Sequence, residues 1–419
     1  MSVRTALTRA DLAAIDAHLG PTDELLARAY PGDDGTRQPV HTVYVPADRY
    51  TPELTTVWAR AALDAVEEAG GLEELAAWMG LHDRIAEAVV PRVRDKLARE
   101  PIEDLRIDFE DGYGDRGDDA EDADAVRAAR RVLAAEGAGF APPMVGIRFK
   151  GFEAATRARG IRTLDLFITT LVEHGGLPVG LALTLPKVST VAQVEAMADA
   201  AAALERAHGL PRGRLRFEVQ VETPQLVLGP NGAAPVARLA LAAPGRVSAL
   251  HFGTYDYSAA LGIAGPYQSL DHPAADHAKQ VMQLAVAGTG IRLSDGSSNV
   301  LPIGDRAPAA WRLHARLVRR ALERGFLQGW DLHPAQLPTR FLATYAYYRD
   351  GYAEASARLR DVHDRRTGSV LDEPATVRAL AGFVRRGVQC GALTAGEVAA
   401  DTGFDEAALA ALARPREAS

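Results

Sequence analysis

Cysteine is almost missing from this chain: Cys390 is the only one in 419 residues. No disulfide can form within the chain, and a cysteine-rich zinc site has no ligands. A single thiol suits a reducing compartment, so the expected location is the cytoplasm. Long apolar runs are missing too. No stretch approaches the ~18 consecutive apolar residues of a membrane span. Met1 to Leu19 alternates charged and apolar residues at helical spacing, without the apolar core or cleavage site of a secretion signal. A basic stripe is also absent. The 47 Lys and Arg are outnumbered by 55 Asp and Glu, a net charge of −8 that argues against a nucleic-acid partner. There is no low-complexity tract and no repeat beyond an alternation of strand and helix. What remains is an ordinary globular composition, 47% hydrophobic and 24% charged, with ample material for a large core.

Buried parallel strands read as short apolar runs bounded by turn residues. Eight such runs occur: Thr42–Pro46, Leu105–Asp111, Met144–Lys150, Leu181–Val188, Leu215–Thr223, Val247–Asp256, Ile291–Val300 and Gly329–Pro334. Helical stretches separate them. Pro52–Arg99 is long enough for two helices, and Ala120–Glu136, Ile161–Glu173, Thr190–His208, Ala234–Ala243, Ala274–Ala287 and Ala307–Arg324 follow. Regular alternation of strand and helix predicts an α/β fold with a parallel sheet, and eight units predict a closed (β/α)₈ TIM barrel. The barrel is expected over residues 39–337. An N-terminal helical extension occupies 1–38, and a C-terminal one, with helices at Thr339–Arg366, Glu373–Gly387 and after Thr394, occupies 338–419.

Active sites of such barrels lie at the C-terminal ends of the strands. Polar residues collect there in order: Asp108, Glu110 and Asp111; Arg148 and Lys150; Lys187; Glu218, Gln220 and Glu222; Asp256; Ser294 and Asp295; Asp331 and His333. On the fifth strand Glu218, Gln220 and Glu222 share one face and Phe217, Val219 and Val221 the other. The apolar face packs on helices, so the polar face points into the barrel. Buried carboxylates need cations. Arg148 or Lys187 could supply one, and so could a hard divalent metal on Glu222 and Asp256, the ends of neighbouring strands. Spacing alone leaves the metal and the ion pair equally open. Arg148 can grip a carboxylate or an enolate oxygen, or pair with Asp108 or Glu110. His333 is a candidate base, although a lone histidine at a strand–helix junction is more often structural. The acidic run Gly112–Asp124 reads as a solvated loop entering a helix.

Seven segments together resemble the citrate lyase β-subunit-like branch of the HpcH/HpaI aldolase superfamily. They are His41-Thr-Val-Tyr-Val-Pro46, Ile107-Asp-Phe-Glu-Asp111, Gly146-Ile-Arg148, Leu185-Pro-Lys-Val188, Gln220-Val-Glu-Thr223, Phe252-Gly-Thr-Tyr-Asp256 and Leu332-His-Pro-Ala-Gln336. The resemblance implies a barrel of the phosphoenolpyruvate/pyruvate type with Mg²⁺, or Mn²⁺ in its place, on Glu222 and Asp256. It implies a catalytic group of Arg148, Asp108, Glu110 and Asp111, and substrate contacts from Lys187, Gln220, Thr254 and His333. It also implies a homo-oligomer, a trimer or hexamer. The expected activity is carbon–carbon cleavage or condensation of a hydroxy or keto acid, or of its acyl-CoA ester, through an enolate. Thioester hydrolysis, phosphoenolpyruvate chemistry and a non-catalytic binding role are the alternatives. Relatives that bind coenzyme A carry a Gly-Lys step where this chain reads Leu327-Gln-Gly-Trp-Asp331, which marks a divergent branch and leaves the thioester open.

Overall fold

A computed structural model describes residues 5–364 and 373–414. Eight parallel strands close a barrel in sequence order, each paired with the next and β8 with β1. The strands are β1 His41–Pro46, β2 Asp104–Asp108, β3 Met144–Arg148, β4 Leu181–Leu185, β5 Phe217–Val221, β6 Val247–Phe252, β7 Arg292–Ser297 and β8 Gln328–Asp331. All eight expected runs are strands. Most end two to four residues earlier than the apolar pattern does, because the polar residues at their ends already belong to the connecting loops.

Helix α1 is Arg9–Ala29. Between β1 and β2 lie three helices rather than two: α2 Leu54–Glu67, α3 Leu72–Trp78 and α4 Asp83–Arg99. Gly70 and Gly71, both with positive φ, break the run between α2 and α3. Around the barrel follow α5 Asp118–Ala138, α6 Arg157–His174 and α7 Val191–Ala207. The expected helix at Ala234–Ala243 is a 3₁₀ turn, Pro235–Arg238, run into a short α9, Leu239–Ala242; α8, Pro224–Val227, precedes it. Then come α10 Thr254–Ala260, α11 Pro273–Val286 and α12 Ala307–Glu323. The C-terminal helices are α13 Leu337–His363, α14 Pro374–Cys390, α15 Ala395–Thr402 and α16 Glu406–Ala413. The predicted end of α13 at Arg366 falls outside the described residues. Tyr352, Leu359, Val384, Leu393, Val398 and Leu409 give this extension a small core of its own. No helix among the described residues is long and apolar enough to cross a membrane.

Outward-facing strand residues such as Val43, Ile107, Ile147, Leu183, Val219 and Leu250 are fully buried under the helices. The lumen is different. Barrels of this kind usually fill it with branched apolar side chains, but here it holds a charged network. On β2, Asp104, Arg106 and Asp108 all point inward, an alternation plain in the sequence. Arg106 is completely buried; its Nη2 donates to Glu218 Oε1 at 2.6 Å and its Nε to Thr184 Oγ1 at 2.9 Å, and Nη1 and Nη2 both reach Asp104. Asp104 in turn accepts from Thr42, and Thr42 from Gln328. Burial works against the charge on Glu218, yet Arg106 and His251 hold its pKa far below the usual carboxylate range. The expected partners of this strand's carboxylates were Arg148 or Lys187; for Glu218 the partner is Arg106 instead.

Two further strand-end carboxylates turn away from the barrel mouth. Asp331 sits in the helix layer, gripped by Arg340 Nη2 at 2.9 Å, His41 Nδ1 at 2.9 Å and His314 Nε2 at 3.1 Å. Asp295 pairs with Lys279 at 3.1 Å. Lys150 pairs with Glu121, and that glutamate and Asp124 are buried, so the acidic run is partly an internal ion-pair partner rather than a solvated loop.

Replacing Arg106 by Ala strands two carboxylates in the lumen. Such losses cost about 3–5 kcal/mol, and chemical denaturation should show a fall of that size. A change under about 1 kcal/mol, the scale of an exposed pair, would mean that water reaches the network.

Candidate active site

The mouth of the barrel is built from the loops after β2, β3, β4, β5 and β6. Arg148, the last residue of β3, makes a bidentate pair with Asp108 across the strand register, Nε to Oδ1 at 2.7 Å and Nη2 to Oδ2 at 2.8 Å. Its Nη1 faces Glu110 Oε2 at 3.4 Å and Gln220 Oε1 at 3.5 Å. The guanidinium lies 4.8 Å from the centre of the Tyr44 ring, and Gln220 Nε2 donates to the Tyr44 hydroxyl at 3.1 Å. A planar, permanently charged group is thus locked in place by carboxylate, amide and ring. Asp108 also accepts the backbone N–H groups of Glu110 and Gly112, at 3.1 and 2.9 Å, which folds the acidic segment back over the strand end.

Lys187 is the second anchor. Its ammonium reaches Glu110 Oε1 at 2.6 Å, Asp111 Oδ1 at 2.8 Å and Asp256 Oδ1 at 4.0 Å. Lys187 is also the one non-glycine among the described residues with positive φ, 52°. A side chain rarely adopts that conformation. Here it turns the Lys187 backbone N–H onto Glu222 Oε1, at 2.6 Å, while the side chain reaches the carboxylates of the β2 loop. Asp111 is about half exposed; burial works against its charge, yet the hydrogen bond from Lys187 holds its pKa below the usual range. Burial pushes Glu110 up, against the pull of Arg148 and Lys187.

Glu222, just past β5, is only 2% exposed. Burial pushes its pKa up to about 8; Arg148 opposes this, while Asp256 and Glu110 add to it. It accepts a hydrogen bond from the Lys187 backbone N–H. A Cβ added at Gly253 would overlap the Cβ and Oε2 of Glu222, so glycine there gives the carboxylate its room. Asp256 lies in the first turn of α10 rather than on a strand, about half exposed and facing the mouth. Two carboxylates that repel each other, one of them short of a cation, form the kind of donor set that a hard divalent ion satisfies. Mg²⁺ characteristically takes one or two protein carboxylates and completes its shell with water and substrate. Among the described residues no three His, Cys, Asp or Glu side chains converge as a ligand cluster.

Arg148, Asp108, Glu110, Asp111, Lys187, Gln220, Glu222 and Asp256 are therefore brought to one place. Two other predicted contacts are not brought beside Arg148. The Thr254 hydroxyl, fully buried, faces the Ser297 carbonyl at 3.4 Å. His333 caps the 3₁₀ turn after β8, its Nδ1 accepting the Ala335 N–H at 3.2 Å. It lines a separate cavity of about 420 Å³ with Trp78, Pro302, Ile303 and Trp311. Tyr44 and Arg106 escaped the sequence reading. Arg106 was findable, since every second residue from Asp104 to Glu110 is charged. Nothing local announces the Lys187 backbone.

A family model described as a domain of unknown function, DUF6986, matches residues 19–417. No curated protein is matched by sequence. Among solved structures, a citrate lyase from Burkholderia xenovorans LB400 is similar at 21% identity and a TM-score of 0.60, covering 88% of this chain and 97% of its own. The protein CitE from Mycobacterium tuberculosis, in complex with magnesium, acetoacetate and coenzyme A, is similar at 18% identity and a TM-score of 0.50, covering 85% and 99%. The expected likeness to citrate lyase-like barrels thus holds at the level of the fold.

The raised pKa of Glu222 has a definite sign. A carboxyl that stays protonated in the folded state stabilises it relative to the ionised form at low pH, and that contribution is lost as pH rises from about 4.5 through about 8. Without divalent metal, the wild type should lose stability between pH 6 and pH 9, and Glu222→Gln should flatten the loss, both read from denaturation midpoints. Equal slopes would show that Glu222 ionises freely. Gly253→Ala should displace the same carboxylate and cost about 1–3 kcal/mol of stability, the scale of an overpacked site, read from the same denaturation midpoints.

Proposed function

We propose that this chain, which belongs to the DUF6986 family, is a Mg²⁺-dependent carbon–carbon lyase or aldolase acting on a small hydroxy or keto acid. The observation that carries the reading is Glu222: a buried carboxylate with a raised pKa, set opposite Asp256 and alongside the fixed guanidinium of Arg148. The pair Glu222 and Asp256 would hold the ion, which when bound supplies Lewis acidity to a substrate carboxylate and its neighbouring oxo group.

The remaining steps fall to the chain's own groups. Arg148, fixed by Asp108, binds the developing negative oxygen; one such donor contributes about 3–4 kcal/mol. Asp108 has both oxygens committed to Arg148, so the proton acceptor is sought in the next carboxylate, Glu110. Its burial raises its basicity, and Lys187 and Arg148 keep it oriented. In cleavage, Glu110 takes the proton of the β-hydroxyl, the carbon–carbon bond breaks to a carbonyl, and the electron pair remains on the enolate facing Arg148. Condensation runs the same steps backwards. The complex of the M. tuberculosis protein with magnesium, acetoacetate and coenzyme A supports a carboxylate ligand and leaves a thioester arm open for this chain.

Calorimetric titration of the metal-free protein with Mg²⁺, alone and with oxaloacetate, pyruvate, glyoxylate or acetyl-CoA, tests the proposal. Mg²⁺ and one keto acid should bind cooperatively, and Asp256→Asn should remove both the metal and the cooperativity while leaving the melting transition in place. If neither metal nor acid binds, Glu222 and Asp256 are structural and the lyase reading fails. In turnover, Glu110→Gln should lower kcat by about 10²-fold or more, the usual contribution of a positioned base.

A further inference from the structure

The first helix stands apart from the rest of the molecule. Every residue of α1 from Arg9 to Arg28 is exposed or half exposed, and only Ala29 is buried. Leu12, Ile15, Leu19 and Leu26 are each between 44 and 51% exposed. Their spacing of three, four and seven residues places them on one stripe of the helix. Exposed apolar residues scattered singly need no partner, but a continuous stripe on an outlying helix does.

The helix also cannot owe its existence to its own sequence. A Thr8–Asp11 capping box starts it, but Gly20 and Pro21 lie in its middle. An interior proline costs about 3 kcal/mol or more and a glycine about 1. Gly20 and Pro21 divide it into two pieces, 9–19 and 22–29, each shorter than the ~12–15 residues below which isolated helices are marginal even with good residues. Packing against something must stabilise it.

Its root is fixed on its own barrel, because Ala29 is buried there and the segment after α1 is pinned. Gly32 N–H bonds the Gly288 carbonyl at 2.8 Å, Asp33 pairs with Arg386, Arg385 donates to the Gly35 carbonyl, and Arg37 pairs with Glu100 and Glu103. A complementary surface lies close to that root. A cavity of about 230 Å³ opens between Ala29, Ala240, Ala243, Gly245 and Ile291, with Arg216 on its wall. Helix α9, which contributes Ala240 to that lining, also presents Leu241, and α11, which ends just before the lining residues Thr289 to Ile291, presents Leu284; they are 50 and 81% exposed. α1 carries four carboxylates, Asp11, Asp16, Asp23 and Glu24, against two arginines, Arg9 and Arg28, a net acidic helix of the sign that Arg216 attracts; Arg216 shares the cavity wall with Asp34.

We propose that α1 is an exchange arm that lies on a second copy of this chain. Each copy then gives one arm and receives one, with the leucine stripe on the patch around Leu241 and Leu284 and with Asp16 and Asp23, seven residues apart on one flank of that stripe, towards Arg216. The area is sufficient. A helix of this length is about 32 Å long and about 10 Å across. Two exchanged arms, counted on both partners, bury roughly 1,300 Å², within the range of stable specific interfaces. The inference is independent of the chemistry at the barrel mouth.

Sedimentation velocity of the full chain across the micromolar range tests it. The wild type should run as a closed oligomer. Leu12→Glu with Ile15→Glu should weaken association by roughly a hundredfold or more, as loss of two interface anchors does, with the circular dichroism of the barrel retained. Ala17→Glu, on the opposite side of the helix, should leave the oligomer intact. A monomeric wild type, an oligomer indifferent to the double substitution, or one dissociated as completely by Ala17→Glu would each overturn the proposal.

Discussion

The structure depends on how charge is neutralised inside the barrel. Arg106, fully buried, is the only cation in contact with both Asp104 and Glu218 among the described residues, and it ties β2 to β5 across the lumen through Thr184 on β4. Lone ions in such a place would cost several kcal/mol each. Paired and fully hydrogen-bonded, they cost far less and act as a register pin, because a one-residue slip of β2 would turn Asp104, Arg106 and Asp108 into the apolar helix layer. The outward residues of the same strand, Leu105 and Ile107, impose the same register from the other side.

The candidate site is the upper tier of this arrangement. Asp108 follows Arg106 on the same face of β2 and does for Arg148 what Asp104 does for Arg106. Each guanidinium is held by a neighbouring carboxylate, so each keeps one orientation. The tiers differ at the top. Lys187 meets Glu110 and Asp111 with its ammonium but offers Glu222 only a backbone N–H, at the expense of a strained φ. The lumen is therefore neutralised from within, while its mouth retains Glu222, a carboxyl that burial pushes up to about 8. Strain and an unbalanced charge at one point, above a paired network, are what a functional site looks like in physical terms.

Much of this was legible in the residues. The eight strands, their order and the C-terminal helices follow from period and turn chemistry, and alternation along β5 correctly turns Glu218, Gln220 and Glu222 inward. Three readings went astray for one reason. Asp295, Asp331 and Lys150 are polar residues at strand ends, but they face the helix layer, where Lys279, Arg340 and Glu121 meet them. A strand end shows which residues are polar, and only the neighbouring helices show which side of the sheet each one serves. The same limit applies to His333, whose motif is at the expected place while its ring lines another cavity.

The sequence by itself determined the barrel, because hydrophobic period and glycine or proline punctuation are local, and each βα unit carries its own copy of both signals. It also determined which residues had to be neutralised, since a charge between two apolar neighbours on a buried strand must find a partner. Only the tertiary structure decided who the partners are. Arg106 rather than Arg148 takes Glu218, the Lys187 backbone rather than its ammonium takes Glu222, and α1 is left exposed or half exposed along its length except at Ala29. Those choices rest on distances across the lumen and between loops far apart in sequence, and no local pattern encodes such distances.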